Sequence, residues 1–270
     1  MVAVQVLVGI AVLAGLGGCD GKRRPGPRPE GARPQRVEPS RPAQAELGAG
    51  GGGGRAAAPA GDGGVSSVPG DDPRQGKFGL EDALEGLGGK GALLATMDLG
   101  KFGKLTCELY EEAAPNVVAN FVGLARGLRP FKDPETKTWG ARPFYDGLTC
   151  HKVIPQFVVH CGDPLGKGTG DPGYLLPAEV TPDLAFDRPG RLAMASRAGT
   201  DPRFGSQFFV TERPAQYLNG RFAIFGQCQP VALVEKLTRL VVDSPMNNRP
   251  VEPVVIRKVT ISRGRPVRGR

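Results

Sequence analysis

The stretch YDGLTCHKVIPQFVVHCGD, residues 145–163, decides the fold that we expect for this chain. Two short runs rich in β-branched residues, LTCHKVI and FVVHC, flank Pro155 and Gln156, which are residue types typical of turns. The stretch therefore predicts a β-hairpin. Because side chains alternate between the two faces of a strand, Lys152 and His160 meet on one face if the pairing register brings them opposite each other.

A second block, MASRAGTDPRFGSQFFVTERPAQYLNGRFAIFG at residues 194–226, extends the pattern. In order and nearly in spacing, the two blocks resemble the motifs F-H-R-x-I-P-x-F-x-x-Q-G-G-D and M-A-x-A-G…G-S-Q-F-F…x-L-D-G-x-x-x-F-G of the cyclophilins, which are peptidyl-prolyl cis/trans isomerases. The resemblance implies a mainly β fold, a closed antiparallel eight-stranded barrel capped by two helices.

The periodicity of the remaining chain is compatible with that architecture. It predicts a hairpin over 92–110, a helix over 115–128 at one barrel end, a strand over 191–195, a second helix over 230–242 and a terminal strand over 254–262. Between residues 129 and 144 a turn-rich excursion contains Trp139, the only tryptophan, and we expect an exposed loop tip there.

The resemblance also implies an active site, residue by residue. The residues at catalytic positions are Lys152, Phe157, His160 and Gln207. The residues at substrate-binding positions are Met194, Ala195, Ser196, Phe209, Tyr217, Leu218 and Phe222. By the same comparison the proline pocket is formed by Phe157, Met194, Phe209 and Leu218, while Gln207 binds substrate backbone and Tyr217 lies at the pocket mouth.

These residue types suit prolyl isomerisation. Rotation about an Xaa-Pro amide has a barrier of about 20 kcal/mol because conjugation is lost, yet no covalent bond breaks. A catalyst therefore needs an apolar socket for the ring and polar groups that favour the twisted amide, but no nucleophile, metal or cofactor. Ser206 does not predict a hydrolase, since GSQFF lacks the G-x-S-x-G elbow.

Three positions depart from the family pattern, where Lys152 replaces an arginine, His160 a glutamine and Phe222 a histidine. Lysine keeps the charge but lacks the planar fork of arginine, which predicts a rate about ten- to a hundredfold lower. A protonated His160 would repel Lys152, so we expect activity to weaken below about pH 6. The alternative function is a catalytically weak or inactive chaperone or scaffold module that binds Pro-containing peptides.

The N-terminus predicts export. Residues 1–18 are almost wholly apolar and end in small residues before Cys19, which resembles the L-x-x-C box of a bacterial lipoprotein signal. We expect cleavage before Cys19, lipidation of that residue, and an extracytoplasmic, membrane-anchored protein on the periplasmic side. A basic leader is missing, and Lys22, Arg23 and Arg24 follow the apolar run, so an N-terminal transmembrane anchor is the alternative.

Composition divides the rest of the chain. It predicts a disordered Gly/Pro/Arg-rich linker over 19–79 and a basic tail over 265–270, and the resemblance implies the isomerase-like domain between them, over 80–264. The formal net charge of +8 resides in the tails, so we expect no nucleic-acid partner. The expected partners are Pro-containing polypeptide clients and, through the lipid anchor, the membrane. We expect the protein to be a monomer.

The cysteines beyond the lipoprotein box are Cys107, Cys150, Cys161 and Cys228. None of them forms a CxxC pair, and strand alternation would point Cys150 away from His151 and Cys161 away from His160, so no metal site is expected. A disulfide between Cys150 and Cys161 is possible in an oxidising compartment, but the same alternation would put the two on opposite faces if Lys152 and His160 share one. We therefore expect buried free thiols.

Overall fold

The computed structural model describes residues 72–196 and 203–267 of the 270-residue chain. The predicted leader, Cys19 and the linker up to residue 71 lie outside the described residues, as does the end of the basic tail. In the part that is described, no helix has the length and apolar character needed to cross a membrane.

Helices and strands follow the predicted order. The helices are α1 (Leu80–Leu84), α2 (Pro115–Arg126) and α3 (Val231–Thr238). The strands are β1 (Ala92–Asp98), β2 (Lys104–Leu109), β3 (Phe131–Lys132), β4 (Trp139–Gly140), β5 (Thr149–Cys150), β6 (Lys152–Ile154), β7 (Val158–Cys161), β8 (Arg191–Ser196), β9 (Phe204–Thr211), β10 (Ile224–Gln229), β11 (Val254–Val255) and β12 (Lys258–Gly264).

Eight strands form one antiparallel sheet in the order β12-β1-β2-β10-β8-β9-β7-β6. The mainly β fold is thereby confirmed. The closed barrel is not, because within residues 72–196 and 203–267 the outer strands β12 and β6 have no pairing with each other. The sheet separates two apolar clusters, since alternate residues of β7, β8 and β9 contribute to one cluster or the other.

Helix α2 fills the larger cluster. Its first residue is Pro115, whose missing N–H is not needed in the first turn, and it ends at Gly127, whose φ of 73° suits glycine. Phe121 is fully buried, and its ring centroid lies 5.0 Å from that of Tyr145 and 5.5 Å from that of Phe208. The sequence predicted two helices, but α1 is a third, and the Arg126 side chain ties it to α2 by donating to backbone carbonyls.

The excursion after α2 is a short hairpin with an exposed tip at residues 135–138. Strands β3 and β4 pair there, with Lys132 opposite Trp139. The Trp139 ring is partly buried and stacks on Tyr174, with 6.5 Å between centroids. The exposed tip is thus confirmed, but Trp139 is not part of it, because turn residues in the sequence cannot reveal that the Gly-rich crossing returns Tyr174 against this loop.

The predicted terminal strand is divided into two. Val254 and Val255 pair with β5, and the chain then crosses to pair β12 with β1. Because β11 pairs with β5 in a separate two-stranded sheet, β5 and β6 belong to different sheets. The chain therefore passes from one sheet to the other at His151, inside the predicted hairpin.

Two disulfides correct the expectation of free thiols. Cys107 and Cys228 are directly opposite in the pairing of β2 with β10, and they are bonded. Cys150 and Cys161 are also bonded. Strand alternation argued against the second bond, but alternation does not continue through His151, where the chain leaves one sheet and enters the other.

Candidate functional site

The hairpin register sets the polar side of the site. Lys152 of β6 is opposite His160 of β7, which is opposite Phe209 of β9, which is opposite Ala193 of β8. Directly opposite residues of an antiparallel sheet share a face. A cation, an imidazole and an aromatic ring therefore follow one another in a single row across the sheet.

The row leads into the smaller apolar cluster, which we call the socket because it is the candidate binding place of a proline ring. The Phe209 ring is fully buried, with the Phe222 ring edge-on at 5.3 Å and the Phe186 ring stacked at 5.9 Å between centroids. The buried members of this cluster are Val158, Phe186, Ala193, Ala195, Phe209, Ala215, Leu218, Phe222 and Ile224. Four of the predicted site residues, Ala195, Phe209, Leu218 and Phe222, are thus brought together.

Met194 lies elsewhere. It is opposite Phe208 and belongs to the larger cluster with α2, while its neighbours Ala193 and Ala195 face the smaller one. Val158, which was not predicted in the site, belongs to the smaller cluster. The signal for Val158 was available in the sequence, because it shares a strand face with His160.

An aromatic pair marks the mouth of the socket. The half-buried Phe157 ring stacks with the Tyr217 ring at 5.9 Å between centroids, and Tyr217 is 63% exposed. Phe157 also packs against the smaller cluster. The pair offers a flat apolar surface at the point where a peptide would pass from solvent to the socket.

Gln207 lies at the other side of the row. Its side chain is buried, and its Nε2 donates to the carbonyl oxygen of Gly170 at 2.8 Å. That bond fixes the amide so that its own oxygen is the group able to accept from a substrate N–H. The Gly170 loop is in turn held by Asp163, whose carboxylate accepts backbone N–H bonds from Leu165 and Lys167, both at 2.8 Å.

Ser196 ends β8 and is partly buried. The six residues that follow it lie outside the described residues. The main-chain contacts expected of Ser196 toward a substrate therefore stay a prediction.

The two histidines next to Lys152, His151 in the chain and His160 on the opposite strand, pack against each other. The ring centroids of His151 and His160 are 4.5 Å apart, and within the described ranges none of their four ring nitrogens has a hydrogen-bond partner. Burial lowers the pKa of His151 to about 4. Burial, followed by the proximity of His151 and Lys152, also holds the pKa of His160 well below its ordinary value. Both rings are therefore neutral at physiological pH.

This environment corrects the expectation of a fall in activity near pH 6. That expectation used the unperturbed imidazole value, which applies in water and not in a buried pair. His151 itself was not predicted in the site, because alternation through a continuous strand would have pointed it away from His160.

Lys152 is the cation of the site. It is half-buried on the edge strand, and across the described part of the chain its ammonium group has no hydrogen bond or ion pair. Its ammonium group is thus available to a ligand, but no carboxylate or amide of the described residues holds it in one position.

Comparison with known proteins agrees with the fold. The model of the family "Cyclophilin type peptidyl-prolyl cis-trans isomerase/CLD" matches residues 94–261, so the chain belongs to this family of isomerases. Peptidyl-prolyl cis-trans isomerase A of Mycobacterium tuberculosis (strain ATCC 25618 / H37Rv) is 42% identical over 164 residues, which cover 59% of this chain and 87% of the relative.

Two further similarities extend the comparison. Peptidyl-prolyl cis-trans isomerase B of Streptomyces anulatus is 40% identical over 173 residues, covering 63% of this chain and 96% of the relative. A crystal structure of a Cryptosporidium parvum cyclophilin type peptidyl-prolyl cis-trans isomerase aligns with a TM-score of 0.52 and 26% identity, covering 64% of this chain and 99% of that one. The chain is accordingly an enzyme of the peptidyl-prolyl isomerase class.

Proposed function

We propose that the row Lys152–His160–Phe209 is where this isomerase acts, and that its substrates are Xaa-Pro bonds of proteins outside the cytoplasm. The observation that carries the proposal is the register, which puts one unpaired cation of the described chain beside an apolar socket. The socket formed around Phe209 and Leu218 accepts the pyrrolidine ring, because such a ring offers apolar area and few polar atoms.

Polar groups then act on the amide. The Lys152 ammonium donates to the carbonyl oxygen of the proline residue or to the amide nitrogen, whose lone pair is released from conjugation as the bond turns. The Gln207 oxygen accepts from backbone N–H, which keeps one side of the peptide fixed while the other rotates. These contacts favour the twisted amide over either planar form, and this preference is what accelerates the reaction.

A second candidate is binding without appreciable catalysis. It is favoured because no described partner orients the Lys152 ammonium, whereas the apolar residues around Phe209 lie together. Under this alternative the protein is a chaperone or scaffold module for Pro-containing segments.

The decisive experiment compares the wild-type protein with Lys152→Arg and Lys152→Ala in a protease-coupled prolyl isomerisation assay. We expect kcat/KM of Lys152→Ala to fall at least about tenfold and that of Lys152→Arg to rise about tenfold, since Arg restores a bidentate donor. Wild-type and Lys152→Ala proteins that leave the rate of the test peptide at its value in buffer, while still binding it, would establish the second candidate.

The proposed location is extracytoplasmic, with a lipid on Cys19 and polypeptide clients that contain proline. Two disulfides support it, because such bonds persist in oxidising compartments. An N-terminal transmembrane anchor is the alternative. Mass spectrometry of the mature N-terminus distinguishes them, since a chain that begins at an acylated Cys19 supports the lipoprotein and an intact leader contradicts it.

A further inference from the structure

The turn that presents Phe157 contains an unfavourable backbone conformation. Gln156 has a φ of 60°, in the left-handed region that glycine adopts readily and other residues avoid. Phe157 follows directly and stacks with Tyr217 at the mouth of the socket. Some other group must therefore stabilise Gln156 if Phe157 is to keep its place.

That group is the carboxylate of Glu212, at the end of β9. The backbone N–H of Gln156 donates to Glu212 Oε2 at 2.7 Å, and the backbone N–H of Glu212 donates to the carbonyl oxygen of Phe157 at 2.7 Å. One residue thus binds the backbone of the turn on both sides of the Gln156–Phe157 peptide.

Glu212 is itself held by helix α3. Thr238 Oγ1 donates to its Oε2 at 2.6 Å, and Arg239 donates from Nη1 to Oε2 and from Nη2 to Oε1, both at 2.8 Å. The Glu212 side chain is only 1% exposed. Burial raises the pKa of this carboxyl, but the hydrogen bonds from Arg239, Thr238 and Gln156 together lower it by more. The pKa is therefore below its ordinary value, and the carboxylate is ionised.

We infer that Glu212 is a positioning residue of the isomerase, which holds the Gln156 turn and so sets Phe157 at the pocket mouth. This inference rests on the proposed function of the socket. It adds Glu212 to the residues that the proposed isomerisation depends on, beside Lys152 and Gln207. Glu212 does not touch the substrate. Its carboxylate stabilises the left-handed backbone conformation of Gln156, which residues other than glycine usually avoid. It also connects this turn to the end of α3.

The test is a double-mutant cycle between Glu212→Gln and Gln156→Gly, measured by isomerase kinetics and by binding of an Xaa-Pro test peptide to the full mature chain. Glu212→Gln removes the charge with little change of size, and we expect KM and the peptide Kd to rise about three- to tenfold while kcat changes less than about twofold. Gln156→Gly in the same chain should restore most of the loss, since glycine adopts the turn without help.

A matched control is Glu111→Gln, which removes a comparable ion pair with Arg263, a residue of β12. We expect this control to keep wild-type KM and Kd. A folded Glu212→Gln protein with wild-type KM and Kd would overturn the inference, and so would a failure of Gln156→Gly to restore either value.

If Glu212→Gln does not fold, Arg239→Gln tests the same link, because it leaves the carboxylate in place but weakens its support. We then expect a smaller rise in KM and Kd, and wild-type values in the folded Arg239→Gln protein would overturn the inference. The Kd measurement separates this inference from the proposed catalysis, since a wild-type protein that binds but does not catalyse contradicts the latter alone.

Discussion

The buried pair of His151 and His160 predicts that the domain loses stability in mild acid. The pKa of His151 is about 4 in the folded protein, chiefly through burial, against an ordinary value of 6.5. Between these two pH values the unfolded chain binds more protons than the folded one. The contribution of the neutral His151 to the free energy of unfolding is therefore complete above pH 6.5 and is lost as the pH falls toward 4.

The magnitude follows from the two pKa values. A fall from 6.5 to about 4 corresponds to about 3 kcal/mol for His151 alone, at about 1.4 kcal/mol per unit of pH. Between pH 7 and pH 5, the same linkage lowers the free energy of unfolding by about 2 kcal/mol. His160, whose pKa is also held well below its ordinary value, adds to the loss in the same direction.

Urea unfolding of the wild-type protein and of His151→Gln, each at pH 7 and pH 5, measures this contribution. Glutamine does not titrate, so we expect the variant to lose about 2 kcal/mol less than the wild type over this interval. His160→Gln is the second variant, because these are the only two histidines of the chain. Equal losses in the wild type and both variants would refute a buried, neutral pair.

Three further predictions concern activity and stability. Because both histidines stay neutral, kcat/KM should be constant between about pH 6 and pH 8, and a decline centred near pH 6 in the prolyl assay would contradict this. Tyr217→Ala should raise KM about threefold and leave the urea midpoint unchanged, since the ring is 63% exposed; a lowered midpoint would show a structural role instead. Joint replacement of Cys107 and Cys228 by serine should cost about 2 to 5 kcal/mol of unfolding free energy, whereas an unchanged value would mean that the bond adds nothing.

The sequence predicted the central hairpin because that prediction depended only on local rules. The turn at Pro155 and the two short strands were local signals, whereas the register that brings Lys152 opposite His160 was left open and is given by the structure. Helix α2 was predicted for a similar reason, since its apolar spacing and its first proline are local signals.

What the sequence could not predict depends on contacts between distant segments. The bond of Cys150 with Cys161 and the contact of His151 with His160 both follow from the change of sheets at His151, which strand β11 brings about by pairing with β5. The role of Glu212 was likewise hidden, because its partners Gln156 and Arg239 lie 56 and 27 residues away in the chain.

The edge position of β6 has a consequence for product release. The backbone N–H of Val153 points to the outer side of this three-residue strand and donates to the carbonyl oxygen of Asn248 at 2.8 Å. A client segment that crosses Lys152 therefore finds this amide occupied and cannot add itself to the sheet as a further strand, a mode of binding that holds peptides through many main-chain bonds. Under the proposed function a client is therefore held by one proline and its neighbours, and it can leave once the bond has turned.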